Sequence, residues 1–427
     1  MKKKEDILLE KHIFPVDVTA IYGPGMFGIY SPFADKIIIL SNSQWDEILQ
    51  ANDFLQKIES LFPSFEISER EIAHGMTECD LVRMSVIPTH RCNFHCQYCY
   101  AAQGRSDEVM PFKIAETALD YFINHNRTKR NDLYISIVGG GEPLVTWDTT
   151  KKIIKRIRKL EETRGFNVSV TMTTNGSLVN ANVADFLVAY GVKVCVSFEI
   201  IKHFQELHRG HYEAVRNGIL QLCKKGCDVS IRTTITPQCV LRQTEMVEEI
   251  KNSYPQIRKM NFDYVVSNEI FSTAKKLTDF FTNFTECFFK ASKKANELNL
   301  VLSTPLFRKT KSLCDRYCSG DFCITPSGAI SICHRFTSPA EPHYCDCIYG
   351  QINQRNVKID RAYFRELMNC DVYKLSKCYS CFARFHCGGH CLAHRFNYTD
   401  EQLDAVCSFT RDFVLRSLLT REFQDFL

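Results

Sequence analysis

The sequence predicts an α/β fold: a partial (β/α)6 barrel with a cysteine-rich C-terminal domain and a small α+β region in front. Three observations lead there. Between residues 81 and 300, six short apolar runs alternate with amphipathic helical stretches, the pattern of a parallel sheet with crossover helices. Six such repeats are fewer than the eight that close a full barrel. From residue 301 onward cysteines become dense and long hydrophobic periodicity fades, as expected where metal replaces an apolar core.

Residues 1–80 hold one apolar stretch, Lys36–Leu40, then Ser41-Asn-Ser43 as a helix start, then a helical pattern through Leu61. Residues 81–300 supply the strand-like runs Leu81–Ile87, Leu133–Val138, Val168–Thr173, Val192–Phe198, Val229–Ile235 and Met260–Val266. Between them lie helical stretches such as Ala115–Asn126, Thr150–Thr163, Asn182–Tyr190 and Tyr212–Lys225. An open barrel of this kind presents the C-terminal ends of its strands to a ligand. Residues 301–427 form the third region.

At 427 residues the chain predicts two or three domains, and its 45% hydrophobic and 24% charged residues are those of a globular protein. A formal charge of +4, with both signs mixed throughout, gives no reason to expect nucleic acid or a membrane surface as partner. The start, Met1-Lys-Lys-Lys-Glu-Asp, lacks the apolar run of a secretory signal, and no window reaches the length of a membrane span. Twenty-one cysteines without an export signal point to a reducing cytoplasm, where clustered thiols bind metal or carry redox chemistry rather than form disulfides.

The first group follows the first barrel strand: Thr89-His-Arg-Cys92-Asn-Phe-His-Cys96-Gln-Tyr-Cys99-Tyr100. Three soft thiolates on one loop suit an iron–sulfur cluster whose fourth iron has no protein ligand. An open iron invites a substrate or cofactor, as the open position of a catalytic zinc does. Zinc is the competing reading, with His90 or His95 as fourth ligand. The CxxxCxxC spacing and the aromatic Tyr98 before the third cysteine resemble the radical SAM superfamily. That resemblance implies that the open iron chelates the methionine part of S-adenosylmethionine (SAM). One electron then breaks the sulfonium bond and releases a 5′-deoxyadenosyl radical.

Other motifs extend the resemblance. Val138-Gly139-Gly140-Gly141-Glu142-Pro143 is similar to the family's GGEP turn, where glycines let backbone approach a ligand. Thr173-Thr174-Asn175-Gly176 is similar to its TNG turn, and Val196-Ser197-Phe198-Glu199 stands where relatives carry Ser-Ile/Leu-Asp-Gly. Glu199 lengthens that carboxylate and Ile200 replaces the glycine. Arg209-Gly210 and Arg232-Thr-Thr-Ile235 also fit family positions. By resemblance, SAM contacts fall to Gly140, Gly141, Glu142, Pro143, Asn175, Ser197, Glu199, Arg209 and Arg232.

The second array begins at Cys314, followed after thirteen residues by Gly328, then after four by Cys333. Later come Cys378-x2-Cys381-x5-Cys387-x3-Cys391 and then Cys407. This looks like the SPASM domain of peptide-modifying radical SAM enzymes. The resemblance implies two auxiliary 4Fe–4S clusters besides the first, three in all. Cys314, Cys318, Cys333 and Cys391 would hold one, with Cys323 competing for the place of Cys318; Cys378, Cys381, Cys387 and Cys407 would hold the other. The rival is a pair of zinc ribbons. The remaining cysteines read as small buried hydrophobes, with Cys345 and Cys347 the better candidates for a further role.

Relatives with two auxiliary clusters oxidise a residue or cross-link ribosomally made peptides, drawing electrons from reduced flavodoxin or ferredoxin. The expectation is a peptide maturase acting on a peptide or protein, with or without a leader segment. A sulfatase-type formylglycine-generating maturase is the alternative within the class; a non-catalytic iron–sulfur redox or binding protein is the alternative outside it. His334 stands where the sulfatase-type relatives carry an aspartate thought to act as base, and a histidine can take a proton near neutral pH. The N-terminal stretch Lys36–Leu40 with the Trp45–Leu61 helix is either a precursor-binding module or a cap on the barrel.

Overall fold

The structure, a computed structural model, describes residues 4–62 and 76–424. The lysine-rich start at 1–3, residues 63–75 of the N-terminal region, and 425–427 lie outside the described residues.

The N-terminal region is a three-stranded antiparallel sheet of β1 (Phe14–Val16), β2 (Met26–Ser31) and β3 (Lys36–Ser41), in that order. Ser41 starts the following helix, Asn42–Gln50, through a capping box: its Oγ accepts from Gln44 N at 3.2 Å and its N donates to Gln44 Oε1 at 2.8 Å. The expected continuous Trp45–Leu61 helix is broken, because Ala51 turns extended (ψ 139°) ahead of Asn52-Asp53; a second helix runs Phe54–Leu61. Successive side chains of β2 point to opposite faces. Ile29 joins Trp45, Phe54 and Ile58 on one side. Tyr30 joins Phe14, Val16, Phe382, Phe385 and Leu418 on the other. The sheet therefore packs on the cysteine-rich region, not on the barrel as a cap.

The second sheet has eleven strands. The six expected parallel strands are β4 (Arg83–Val86), β5 (Asp132–Ile137), β6 (Asn167–Thr174), β7 (Lys193–Ser197), β8 (Val229–Ile235) and β9 (Lys259–Tyr264). Each lies beside the next, and a seventh, β10 (Val301–Ser303), pairs parallel with β9. The sheet runs on past residue 300 from its other edge. Strand β11 (Phe322–Ile324) pairs parallel with β4, and β12 (Ala329–Ser331), β13 (Ile348–Ile352) and β14 (Val357–Ile359) continue antiparallel. Cysteine-rich region and barrel thus share one hydrogen-bonded sheet.

Alternation along the parallel strands decides what the barrel holds. Leu133, Ile135, Val168, Val170, Val194, Val196 and Ile231 are buried in the apolar core. Toward the C-terminal ends the intervening positions are mostly small or polar and stand in register: Ser136 beside Thr171, Thr173 beside Cys195, Ser197 beside Arg232. Such an interior is not filled by its own side chains and can take a ligand. The long helix Ala274–Glu297 packs against Asp400–Gln424, with Phe281 stacked on Phe409 at 4.1 Å between ring centroids.

Candidate functional site

A cavity of about 200 Å³ opens at the C-terminal ends of the barrel strands. Cys92, Cys96 and Cys99 line it, from the loop after β4. Thr89 Oγ1 donates to Glu108 O (2.7 Å), Arg105 Nη1 to Phe94 O (2.7 Å), and Gln97 N to His208 O (3.0 Å), tying that loop down. Arg105 Nη2 reaches Cys99 Sγ at 3.4 Å. Burial pushes the Cys92 and Cys96 thiols up, and each is raised further by its neighbours in the trio. His90 Nδ1 lies 3.3 Å from Glu108 Oε2 and Nε2 lies 3.4 Å from Thr337 Oγ1, so its ring is committed away from the thiols. His95 lines a separate hollow on the outer side of the loop.

The glycine-rich turn after β5 is strapped to this loop. Gly141 N donates to Thr89 O (2.9 Å) and Glu142 N to Arg91 O (2.8 Å). A Cβ on Gly141 would stand 1.9 Å from Arg91 O, so two backbones meet where no side chain fits. Gly139 and Gly140 have φ of 76° and 64°, which glycine adopts without strain.

Glu142 lines the cavity, but its carboxylate is engaged within the protein. It accepts from Thr174 Oγ1 (2.6 Å), Asn175 N (2.7 Å) and Leu144 N (3.1 Å), joining the GGEP-like turn to the TNG-like turn. Burial raises its pKa against these hydrogen bonds. Pro143 is buried behind the turn at the start of a short 3₁₀ segment. Asn175 lines the cavity, donates to Asn93 Oδ1 (2.8 Å) and accepts from Ser177.

Ser197, Arg209 and Arg232 also line the cavity. Arg232 Nε is paired with Asp263 Oδ2 at 2.5 Å. Arg209 Nη1 donates to Tyr98 OH (3.3 Å), and Tyr98 OH donates to Glu199. Glu199, expected among the SAM contacts, does not line the cavity: it is fully buried, pushed up to about 7 by burial, with Oε2 lacking a hydrogen-bond partner among the described residues. Ile200, in the place of the family's glycine, keeps a left-handed backbone (φ 64°) and is fully buried. A β-branched residue there is strained.

A second cavity of about 320 Å³ adjoins the first and shares with it Arg232, Asp263, Tyr264, His334 and Arg335. Cys318, Cys333 and Cys391 line it. The Cys333 thiol is pushed up by burial and then by Cys391 and Cys318. Cys323 is sealed in β11 and lines neither cavity. Cys314 is turned away: Lys309 Nζ reaches its Sγ at 3.7 Å and its Sγ contacts His386 O at 3.8 Å. Cys370 lines the second cavity in contact with Arg395. The other four thiols share a neighbourhood. Burial pushes Cys387 up to about 12 and Cys378 up to about 11, with Cys381 and Cys407 contributing to both.

His334 sits where the cavities meet, Nδ1 3.4 Å from Arg83 Nη2 and 3.9 Å from Asp321 Oδ2. Burial lowers its pKa, which keeps the ring neutral and makes it a weaker base. Sequence reasoning missed Asp321, which also accepts from Ser85 Oγ at 2.7 Å. No spacing marks it; only the pairing of β11 with β4 brings it there.

Residues 86–251 match the radical SAM superfamily, and the chain carries a domain of that class. More particularly, the fold matches two solved structures over most of the chain. Native anSMEcpe with bound AdoMet superposes with a TM-score of 0.64 at 15% identity, over 79% of this chain and 98% of that one. Streptococcus suis SuiB bound to precursor peptide SuiA gives a TM-score of 0.52 at 15% identity, over 92% and 97%. By sequence, the radical SAM cyclopropyl synthase TigE of Paramaledivibacter caminithermalis is 23% identical over 216 residues, 45% of this chain and 43% of TigE. The chain spans 36% to 56% of the length of the curated relatives it matches.

The family implies a 4Fe–4S cluster and SAM. Among the described residues no three Cys, His, Asp or Glu side chains stand close enough to grip a single ion. The fit therefore rests on donor chemistry and shape. Three soft donors face one cavity, with a glycine-rich backbone wall beside them and small polar side chains below. These residues fit the pair. Among the described residues no helix is long and apolar enough to cross a membrane.

Proposed function

We propose that the protein is a radical SAM peptide maturase, converting a side chain of a peptide or protein into a cross-linked or oxidised residue. The observation that carries this reading is the confluence of the two cavities, one lined by Cys92, Cys96 and Cys99 and the other by Cys318, Cys333 and Cys391. Cys92, Cys96 and Cys99 would hold a reduced 4Fe–4S cluster, which together with SAM would supply radical chemistry able to abstract hydrogen from an unreactive C–H bond.

The chain's own residues arrange the rest. Gly140 and Gly141 offer bare backbone to SAM, with Glu142 and Pro143 fixing their turn. Asn175, Ser197 and Arg209 border the same space, and Tyr98 with Glu199 holds Arg209. The Arg232–Asp263 pair spans both cavities, and neutral His334 takes the proton released as the substrate is oxidised. Cys318, Cys333 and Cys391 would hold one auxiliary cluster and Cys378, Cys381, Cys387 and Cys407 another, accepting the electron left over. Reduced flavodoxin or ferredoxin in the cytoplasm would supply electrons. Strand β3 pairs with β2 on one edge; its other edge is unpaired among the described residues and suits a leader segment added as a fourth strand.

Anaerobic reconstitution tests the reading: about twelve iron atoms per chain, 5′-deoxyadenosine formed from SAM under dithionite, and two hydrogens lost from a peptide encoded beside the gene. Iron-free protein, or intact activity in Cys96→Ala, would overturn it.

A further inference from the structure

We propose that the second cavity receives a carboxylate of the substrate, an aspartate or glutamate side chain held by Arg308 and, at the boundary between cavities, Arg335. This rests on the peptide reading above and narrows it to a substrate class. The wall carries several arginines, and most are already answered. Arg83 is paired with Asp321 at 3.2 Å, Arg232 with Asp263 at 2.5 Å and Arg316 with Asp315 at 2.9 Å, while Arg395 is turned onto the thiol of Cys370. Both carboxylates of the wall, Asp263 and Asp321, are thereby paired through Oδ2, each leaving Oδ1 without a hydrogen-bond partner among the described residues.

Arg308 has only neutral partners: Nη1 donates to Asn261 Oδ1 (2.9 Å) and Ser303 Oγ (3.4 Å). Arg335 lies over the Tyr100 ring, 5.0 Å from its centre. Among the described residues no carboxylate lies within ion-pair distance of either guanidinium. Arg308 stands on the short helix Pro305–Lys309 directly after β10, its hydrogen bonds running to β9 and β10, so it projects from the barrel side of the cavity. The thiols of Cys318, Cys333 and Cys391 belong to the cysteine-rich region on the other side. Arg308 is thus placed for an incoming group rather than as countercharge to those thiols.

Arg308 is solvent-accessible at the cavity wall; partial desolvation and then Arg232 lower its pKa, against Asp263, which raises it without pairing with it. A planar fork of this kind binds a carboxylate through two parallel hydrogen bonds. An isosteric glutamine or asparagine offers that fork no charge and only one acceptor oxygen, so the site discriminates by charge more than by shape.

The test uses full-length, anaerobically reconstituted protein with SAM, dithionite and a randomised short-peptide library, scored by mass spectrometry for loss of two hydrogens. Asp and Glu should be enriched on the order of ten-fold beside the modified position. The enrichment should vanish in Arg308→Gln and persist in Arg308→Lys, with iron content reporting that each variant has folded. Modified peptides without acidic preference, or a preference unchanged in Arg308→Gln, overturn this proposal alone. A library with no modified member overturns the peptide reading and this proposal with it. Should Arg308→Gln fail to fold, the wild-type preference and the Arg308→Lys profile still decide.

Discussion

Replacing Gly141 by alanine isolates the contact on which the cofactor wall depends. The added Cβ would lie 1.9 Å from Arg91 O, 2.6 Å from its carbonyl carbon and 2.8 Å from its nitrogen, all backbone atoms that no rotamer change can clear. Reaching ordinary contact demands a retreat of about 1.5 Å. That retreat breaks Gly141 N to Thr89 O and Glu142 N to Arg91 O, each contributing about 1 kcal/mol. Displacing the buried Glu142 from Thr174 and Asn175 adds to this, for a total of about 3–4 kcal/mol, a large part of a domain's net stability. Gly226→Ala is the matched control: its φ is 77° but nothing lies within 4 Å of the new Cβ, so it pays backbone strain alone, about 1 kcal/mol. Urea unfolding of both variants under anaerobic conditions, with iron content and equilibrium dialysis of SAM, separates the two effects. Gly141→Ala should unfold at markedly lower urea and lose SAM binding. The reasoning fails if the two variants are equally stable and Gly141→Ala still binds SAM.

Three further outcomes are expected. Cys318→Ala should remove about four irons per chain and Cys323→Ala none, measured by iron assay and electron paramagnetic resonance; the converse would return Cys323 to the ligand set. At Ile200 the left-handed backbone should invert the usual ranking, so that Ile200→Gly melts higher than Ile200→Ala by an amount worth about 1 kcal/mol; equal or reversed melting temperatures would show the strain is absent. His12 Nδ1 lies 2.6 Å from Arg384 Nη2, and burial, then that arginine, lowers its pKa from 6.5 to about 4. The unfolded chain then binds more protons between those values, so stability of the N-terminal sheet is full above pH 6.5 and falls as pH drops toward 4. Solvent screening at this half-buried site limits the loss to roughly 1 kcal/mol. Amide exchange in β1 and β2, corrected for intrinsic rates, should quicken at pH 5 in the wild type and not in His12→Asn; identical pH dependence would refute the linkage.

What the sequence made legible followed from local rules. Strands β4 to β9 announce themselves because one face packs on helices and alternation survives. Strand β10 is three residues long, too short for any period. The helix Asp400–Gln424 escapes pattern reading because it has two apolar partners: Val406, Phe409 and Phe413 meet the barrel's core, while Val414, Leu415 and Leu418 meet the N-terminal sheet. Cysteine spacing groups Cys378, Cys381, Cys387 and Cys407 without geometry, yet it cannot tell that Cys314 turns toward Lys309. Nor can it reveal Asp321, which meets Ser85 and Arg83 only because β11 lies beside β4.

The insertion of β11 next to β4 has a consequence for biogenesis. During synthesis the first barrel strand must wait for more than half the chain before its second neighbour exists, and Tyr30 and Phe14 wait longer still for Leu415 and Leu418. Nascent protein therefore carries open strand edges, bare aromatic surface and unclaimed thiols for most of its time on the ribosome. The nascent chain is thereby a client for chaperones until the cysteine-rich region has emerged.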